Sequence, residues 1–245
     1  MEKHLIDRYH ERINQQIHRV QTTQYDACVA AGKMVAESVA NGGCIHVFDT
    51  GHIIDRELIY RGGGLLLLKS FKYDLVVEDA VRTRDRSSVK KDMTGLAEYA
   101  LRRSGALPGD VLFLGSVSGK TENVVDLAIE AKKFGIKTVA VTSLEYSKSV
   151  ESQHTSGKRL FEVCDIVLDN CTPAAEAMME VEGLDARFAA ASGLSAATLM
   201  WSVCAVAIEE LLAKGITPSV LKSQNFEDGP EFNEALKAHY AETGF

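Results

Sequence analysis

Asp110-Val111-Leu112-Phe113-Leu114-Gly115-Ser116-Val117-Ser118-Gly119-Lys120-Thr121-Glu122-Asn123 is the stretch whose reading decides the fold. Val111, Leu112, Phe113 and Leu114 form a short apolar run behind Pro108-Gly109, the pattern of a strand buried on both faces of a parallel sheet. Behind the Gly and hydroxyl residues, Val124, Val125, Ala128, Ile129 and Ala131 recur at helical spacing, with Glu122, Asp126, Glu130, Lys132 and Lys133 on the polar side. Gly135 ends that helix, and Ile136-Lys137-Thr138-Val139-Ala140-Val141 reads as the next strand, completing a strand–helix–strand unit with the usual right-handed crossover. The turn between strand and helix holds the chemistry. Ser116, Ser118 and Thr121 offer hydroxyls, Gly119 allows close backbone approach, and the start of the helix offers free N–H groups and a positive dipole end to an anion. Thr121 also fits a plain helix cap. The spacing matches neither a Walker loop nor a dinucleotide-binding turn.

The same alternation extends in both directions. Leu5, Tyr9, Ile13, Ile17 and Val20, then Ala27, Cys28, Ala31, Met34, Val35 and Val39, predict two long helices or one broken near Gln21-Thr22-Thr23, stopped by Asn41-Gly42-Gly43. This arm packs either on a partner subunit or on the sheet of its own chain. Cys44-Ile45-His46-Val47-Phe48 predicts the first strand, Asp49-Thr50-Gly51-His52 its turn and residues 53–61 a helix. Leu65 to Leu68 predicts a second strand or its approach, and Leu75-Val76-Val77 a further strand or a continuation. Arg82, Arg84, Arg86, Lys90 and Lys91 form either an electropositive rim or a solvated loop. Helix is expected over residues 93–101, a long polar connection over 144–159, a strand at Ile166-Val167-Leu168 and a buried helix over 195–213. A short helix closes the chain over residues 231–240. The expected fold is a single α/β domain spanning 1–245. An N-terminal helical arm occupies 1–41, and a doubly wound, flavodoxin-like sheet of five parallel strands has helices on both faces. Ligands of such sheets bind beyond the carboxyl ends of the strands, where the turns at Thr50-Gly51-His52, Ser116 to Thr121 and Thr142-Ser143 converge.

Composition narrows the function. An apolar fraction of 46% over 245 residues supports a sizeable core. A formal charge of −7, from 27 basic and 34 acidic residues, disfavours a nucleic-acid or anionic-membrane partner without excluding a phosphorylated small molecule. The charged first twenty residues do not read as a signal peptide, and the serines within the most apolar segment argue against a membrane span. Five scattered Cys without a Cys-x-x-Cys pair point to free thiols and a cytoplasmic protein, and seven dispersed His give no metal-ligand spacing, so neither metal nor cofactor is expected.

The Ser-x-Ser-Gly turn resembles the second motif of the SIS (sugar isomerase) phosphosugar-binding domain. The resemblance continues through Thr142-Ser143-Leu144-Glu145-Tyr146-Ser147, His154-Thr155-Ser156-Gly157-Lys158-Arg159-Leu160, residues 164–170, the tail Ser223-Gln224-Asn225-Phe226-Glu227-Asp228-Gly229-Pro230 and Asn233. These stretches look like bacterial sugar isomerase domain-containing proteins, some of them labelled phosphoheptose isomerases. The resemblance implies the SIS fold and a sugar-phosphate ligand contacted by Thr50, Gly51, His52, Ser116, Ser118, Gly119, Thr121, Thr142 and Ser143. The apolar stripes of the long helices at 5–40 and 195–213 exceed what one sheet face needs, so a homodimer or homotetramer built on them is expected. Within the first motif, Asp49 stands where relatives show Gly and Ile53 where they show Ser. Glu57 resembles the acid/base Glu of phosphoheptose isomerases, though Ile53 replaces the His one turn before it. Otherwise Glu57 pairs with Arg56 or Arg61 on a helix face. His154 is a second acid/base or sugar-contacting candidate, or a surface residue. The implied functions are an aldose–ketose phosphosugar isomerase, a non-catalytic phosphosugar sensor, or a sugar-phosphate lyase or etherase.

Overall fold

The computed structural model describes residues 3–51, 54–89 and 93–245. Five parallel strands, β1 (Ile45–Asp49), β2 (Leu68–Ser70), β3 (Val111–Gly115), β4 (Lys137–Thr142) and β5 (Ile166–Asp169), lie in the order β2-β1-β3-β4-β5. Side-chain alternation divides the core into two layers. Ile45, Val47, Val111, Phe113, Val139, Val141 and Leu168 face one side. Phe48, Leu112, Leu114 and Ala140 face the other. Every residue of β3 is buried, as a central parallel strand requires.

On the first face lie α2 (Tyr25–Ala40) and α7 (Ser192–Ala213), the most extensively packed helix pair among the described residues. Gly32 makes that packing possible, since a Cβ there would come within 2.5 Å of the Val206 Cβ. The second face is covered by α4 (Leu96–Arg103) and α5 (Glu122–Lys133). The N-terminal arm is two helices, α1 (Leu5–Thr23) and α2, parted at Gln24. Both pack on their own chain, α1 against α7 and α2 across α7 and the sheet. Leu5 and Ile6 of α1, and Leu194 and Leu212 of α7, stay exposed.

Several expectations are corrected. Leu75, Val76 and Val77 form no strand; they run irregularly and are more than half exposed, because no neighbouring strand offers them a ladder. The helix after β1 shrinks to α3 (Asp55–Leu58), and the connection after β4 opens with α6 (Leu144–Lys148). An antiparallel hairpin not expected from the sequence, β6 (Ala177–Met179) and β7 (Phe188–Ala190), packs on Tyr9 and Ile13 of α1. The last helix, α8, spans Gly229–Thr243, and Asn233 within it bonds both the N–H and the carbonyl of Lys222. By length and apolar content, α7 does qualify to cross a membrane despite its serines, but here it lies along the sheet with its inner face buried.

Candidate functional site

The chain runs outward in opposite senses from β1 and β3, so their carboxyl ends form the topological switch point where ligands of such sheets bind. Asp49 pairs with Gly115 across the two strands. The two turns are tied together there, because the Thr50 N–H and hydroxyl both donate to the Gly115 carbonyl, at 3.0 and 3.2 Å. Thr50 and Gly51 are exposed at this mouth. His52, Ile53, Lys90 and Lys91, singled out from sequence, lie outside the described residues.

The β3–α5 turn is held from beneath and open above. The Ser116 N–H donates to the Val141 carbonyl, and the Val117 carbonyl accepts from the Ser143 N–H and the Thr142 hydroxyl. Leu160 and Gln153 N–H groups hold the carbonyls of Gly119 and Lys120. The carbonyls therefore point into protein, and the N–H groups of residues 118–121 meet no protein acceptor among the described residues. Gly119 takes φ +57°, and a Cβ on it would press at 3.1 Å against Leu160, Ser147 and Thr142. The Ser118 hydroxyl, half-buried at the rim, is uncommitted among the described residues. Thr121 precedes α5 but forms no side-chain cap, and its buried hydroxyl has no partner among the described residues. Together with the free N–H groups of the first turn of α5, this is a compact donor cradle for an anion.

Thr142 and Ser143 are corrected to a supporting role. Both are fully buried: the Thr142 hydroxyl holds Val117, and the Ser143 hydroxyl donates to the Thr172 carbonyl at 2.5 Å while capping α6 through the Tyr146 N–H. His154 is no surface residue. It is buried, with Nε2 3.4 Å from an Asp126 carboxylate oxygen and Nδ1 2.8 Å from the Ser156 hydroxyl. Asp126 in turn accepts from the Gly95 N–H at 3.2 Å, so the pair fastens three segments beside the cradle. Sequence reading put Asp126 on the polar face of α5, yet it is buried. Glu57 is exposed and ion-paired with Arg61, one helical turn on.

Asp49 does not stand over the cradle as an unscreened charge. Its carboxylate accepts the N–H groups of Gly51 at 3.0 Å and Ile54 at 2.6 Å, and so shapes the turn after β1. Asp49→Gly is therefore expected to cost about 1 kcal/mol of stability, the net scale of a lost hydrogen bond, and not to tighten anion binding. Urea unfolding and a phosphate-ligand titration check both halves.

Among the described residues no three His, Cys, Asp or Glu side chains are grouped to hold a metal. Burial pushes the Cys28 thiol up to about 11 and the Cys204 thiol to about 12, which leaves both poor nucleophiles at neutral pH.

Comparison with known proteins gives a consistent picture. Residues 8–143 match the SIS domain. A protein called UPF0309 in Geobacillus kaustophilus is 35% identical over 97% of this chain and 95% of its own length. A UPF0309 protein of Streptomyces griseus is 34% identical over 93% of this chain and 91% of its own. Among solved structures, phosphoheptose isomerase from Neisseria gonorrhoeae aligns with TM-score 0.53 at 15% identity, over 82% of this chain and 96% of its own. The Vibrio vulnificus NanR protein complexed with ManNAc-6P aligns with TM-score 0.51 at 16% identity, over 97% and 68%. At those identities the likeness is one of fold.

Proposed function

The chain belongs to the SIS domain family, and from that premise we propose that it binds a sugar phosphate, with the phosphate seated on residues 116–121 at the β1/β3 switch point. The observation that carries this reading is the cradle itself: N–H groups without protein acceptors, the Ser118 hydroxyl and the positive end of α5 all serve one anion. Thr50 and Gly51, facing the same mouth, suit the sugar hydroxyls. The solved relatives named for phosphoheptose isomerase and for a ManNAc-6P complex support this ligand class. In calorimetry, sugar phosphates bind and the corresponding free sugars do not. Ser118→Ala weakens binding by roughly 1–2 kcal/mol, or about 5- to 30-fold in Kd. Equal affinity for a sugar and its phosphate would sink the proposal.

The chemistry we assign is aldose–ketose isomerisation in the cytoplasm, without a metal, with Glu57 moving the proton between adjacent carbons once ligand draws it from Arg61. Glu57→Gln then keeps binding and removes turnover, because the amide cannot take a proton. A phosphosugar sensor is the second reading. It is favoured by two observations: Glu57 is ion-paired, and His154 is buried on Asp126 rather than open at the mouth. Absence of turnover on every bound sugar phosphate selects the sensor. We also propose a homodimer or homotetramer, supported by the exposed apolar residues of α1 and α7. Light scattering at micromolar concentration is expected to give a multiple of 26.7 kDa.

A further inference from the structure

A second recess lies away from the cradle, between α4 and the segment that leaves β2. It encloses about 590 Å³, within the range of small-molecule sites, and shares no lining residue with the turns at 50–51 and 116–121. Two features set its chemistry. One is charge. In a chain with a formal charge of −7, this groove gathers Lys69, Lys72 and Arg103, with Asp74 as its one lining carboxylate among the described residues. Asp74 is turned back to accept the Leu75 N–H. No carboxylate among the described residues pairs with Lys69 or Arg103. Lys69 lies half-buried, its ammonium 3.9 Å over the Tyr240 ring, and burial draws its pKa down. A desolvated cation of this kind gains from an anion brought alongside.

The other feature is aromatic. Phe71 and Tyr73 line the recess and meet edge-on at 6.0 Å, with Tyr73 stacked at 5.7 Å on Phe48 behind it. Tyr99 of α4 and Leu75 also line the recess and stand 65% and 58% exposed. Cations beside an aromatic wall suit a ligand with a planar apolar body and an anionic end. A simple phosphate or a sugar phosphate would use only half of this chemistry.

We propose that the α4–β2 groove is a second ligand site, taking a nucleoside monophosphate with the base against Tyr99 and Leu75 and the phosphate between Lys69 and Arg103. It does not depend on the sugar-phosphate reading, because the two sites share no residue. The test is titration of the full chain with AMP by calorimetry at low salt, with adenosine and ribose 5-phosphate as controls. AMP is expected to bind with a submillimolar Kd and adenosine at least tenfold more weakly. Lys69→Met combined with Arg103→Gln is expected to weaken AMP at least tenfold, and Ser118→Ala to leave it unchanged. Should the double variant fold poorly, Tyr99→Ala, at an exposed side chain, must itself weaken AMP several-fold while sparing ribose 5-phosphate. The site is overturned if AMP does not bind. It is equally overturned if AMP binding survives these groove variants and falls in Ser118→Ala, which would put its phosphate in the cradle.

Discussion

Gly119→Val is expected to unfold the chain about 3 kcal/mol more easily than the parent and to abolish sugar-phosphate binding. Two costs combine. A β-branched residue at φ +57° occupies a region that only Gly enters freely, a strain of roughly 1–3 kcal/mol. The new side chain must also enter a space where even its Cβ lies 3.1 Å from Leu160, Ser147 and Thr142, and overpacking of that kind costs roughly 1–3 kcal/mol. The turn can relieve both only by rotating its peptides, which turns the N–H groups away from the anion. Gly119→Ala has the same backbone penalty with less crowding and should fall between. Urea midpoints and calorimetric titration measure the two effects. Parent-like values for both would mean that the handedness of this turn is irrelevant to the cradle.

Asp110→Ala is expected to cost about 3 kcal/mol, because it strands buried donors whose lost acceptor costs roughly 1–3 kcal/mol. The Asp110 side chain is 4% exposed. One carboxylate oxygen accepts the Cys44 N–H at 2.8 Å; the other accepts the Leu107 N–H at 2.9 Å and meets His46 Nε2 at 2.9 Å. It thus clamps the entry of β1 to the entry of β3, the two central strands whose far ends carry the mouth. Truncation leaves two N–H groups and an imidazole without their acceptor. Asp110→Asn keeps one acceptor oxygen and should lose about half as much. Chemical denaturation monitored by circular dichroism reads the loss directly, and a shift under 1 kcal/mol for Asp110→Ala would show that water replaces the carboxylate.

Much of this architecture was legible in the sequence because its cues are local. The apolar run at 111–114, the Gly-rich turn and the helical stripe from Val124 each specify their own element, and their alternation dictates a parallel sheet with crossovers. The split of the N-terminal arm was likewise visible within three residues of Gln24. What stayed hidden depends on distant partners. The hydroxyls of Thr142 and Ser143 look alike in sequence whether they face ligand or protein; only the arrival of Val117 and Thr172 commits them inward. The partner of His154 lies 28 residues earlier, on a face that periodicity marks as polar. Leu75, Val76 and Val77 have strand composition but no neighbour to pair with, and the three-residue strands of the hairpin are too short to leave a period.

The packing of α2 on α7 has a consequence for how the protein is made. These two helices close one face of the sheet, yet about 150 residues part the end of α2 at Ala40 from the start of α7 at Ser192. A ribosome adding roughly 5–20 residues per second exposes α2 on the order of ten seconds before its partner emerges. Until then Val35, Val39 and the inward side chains of β1, joined partway by those of β3, have no lid from α7. The nascent chain therefore presents a long-lived apolar surface to chaperones, and synthesis that stalls before residue 192 leaves a product unable to shield it.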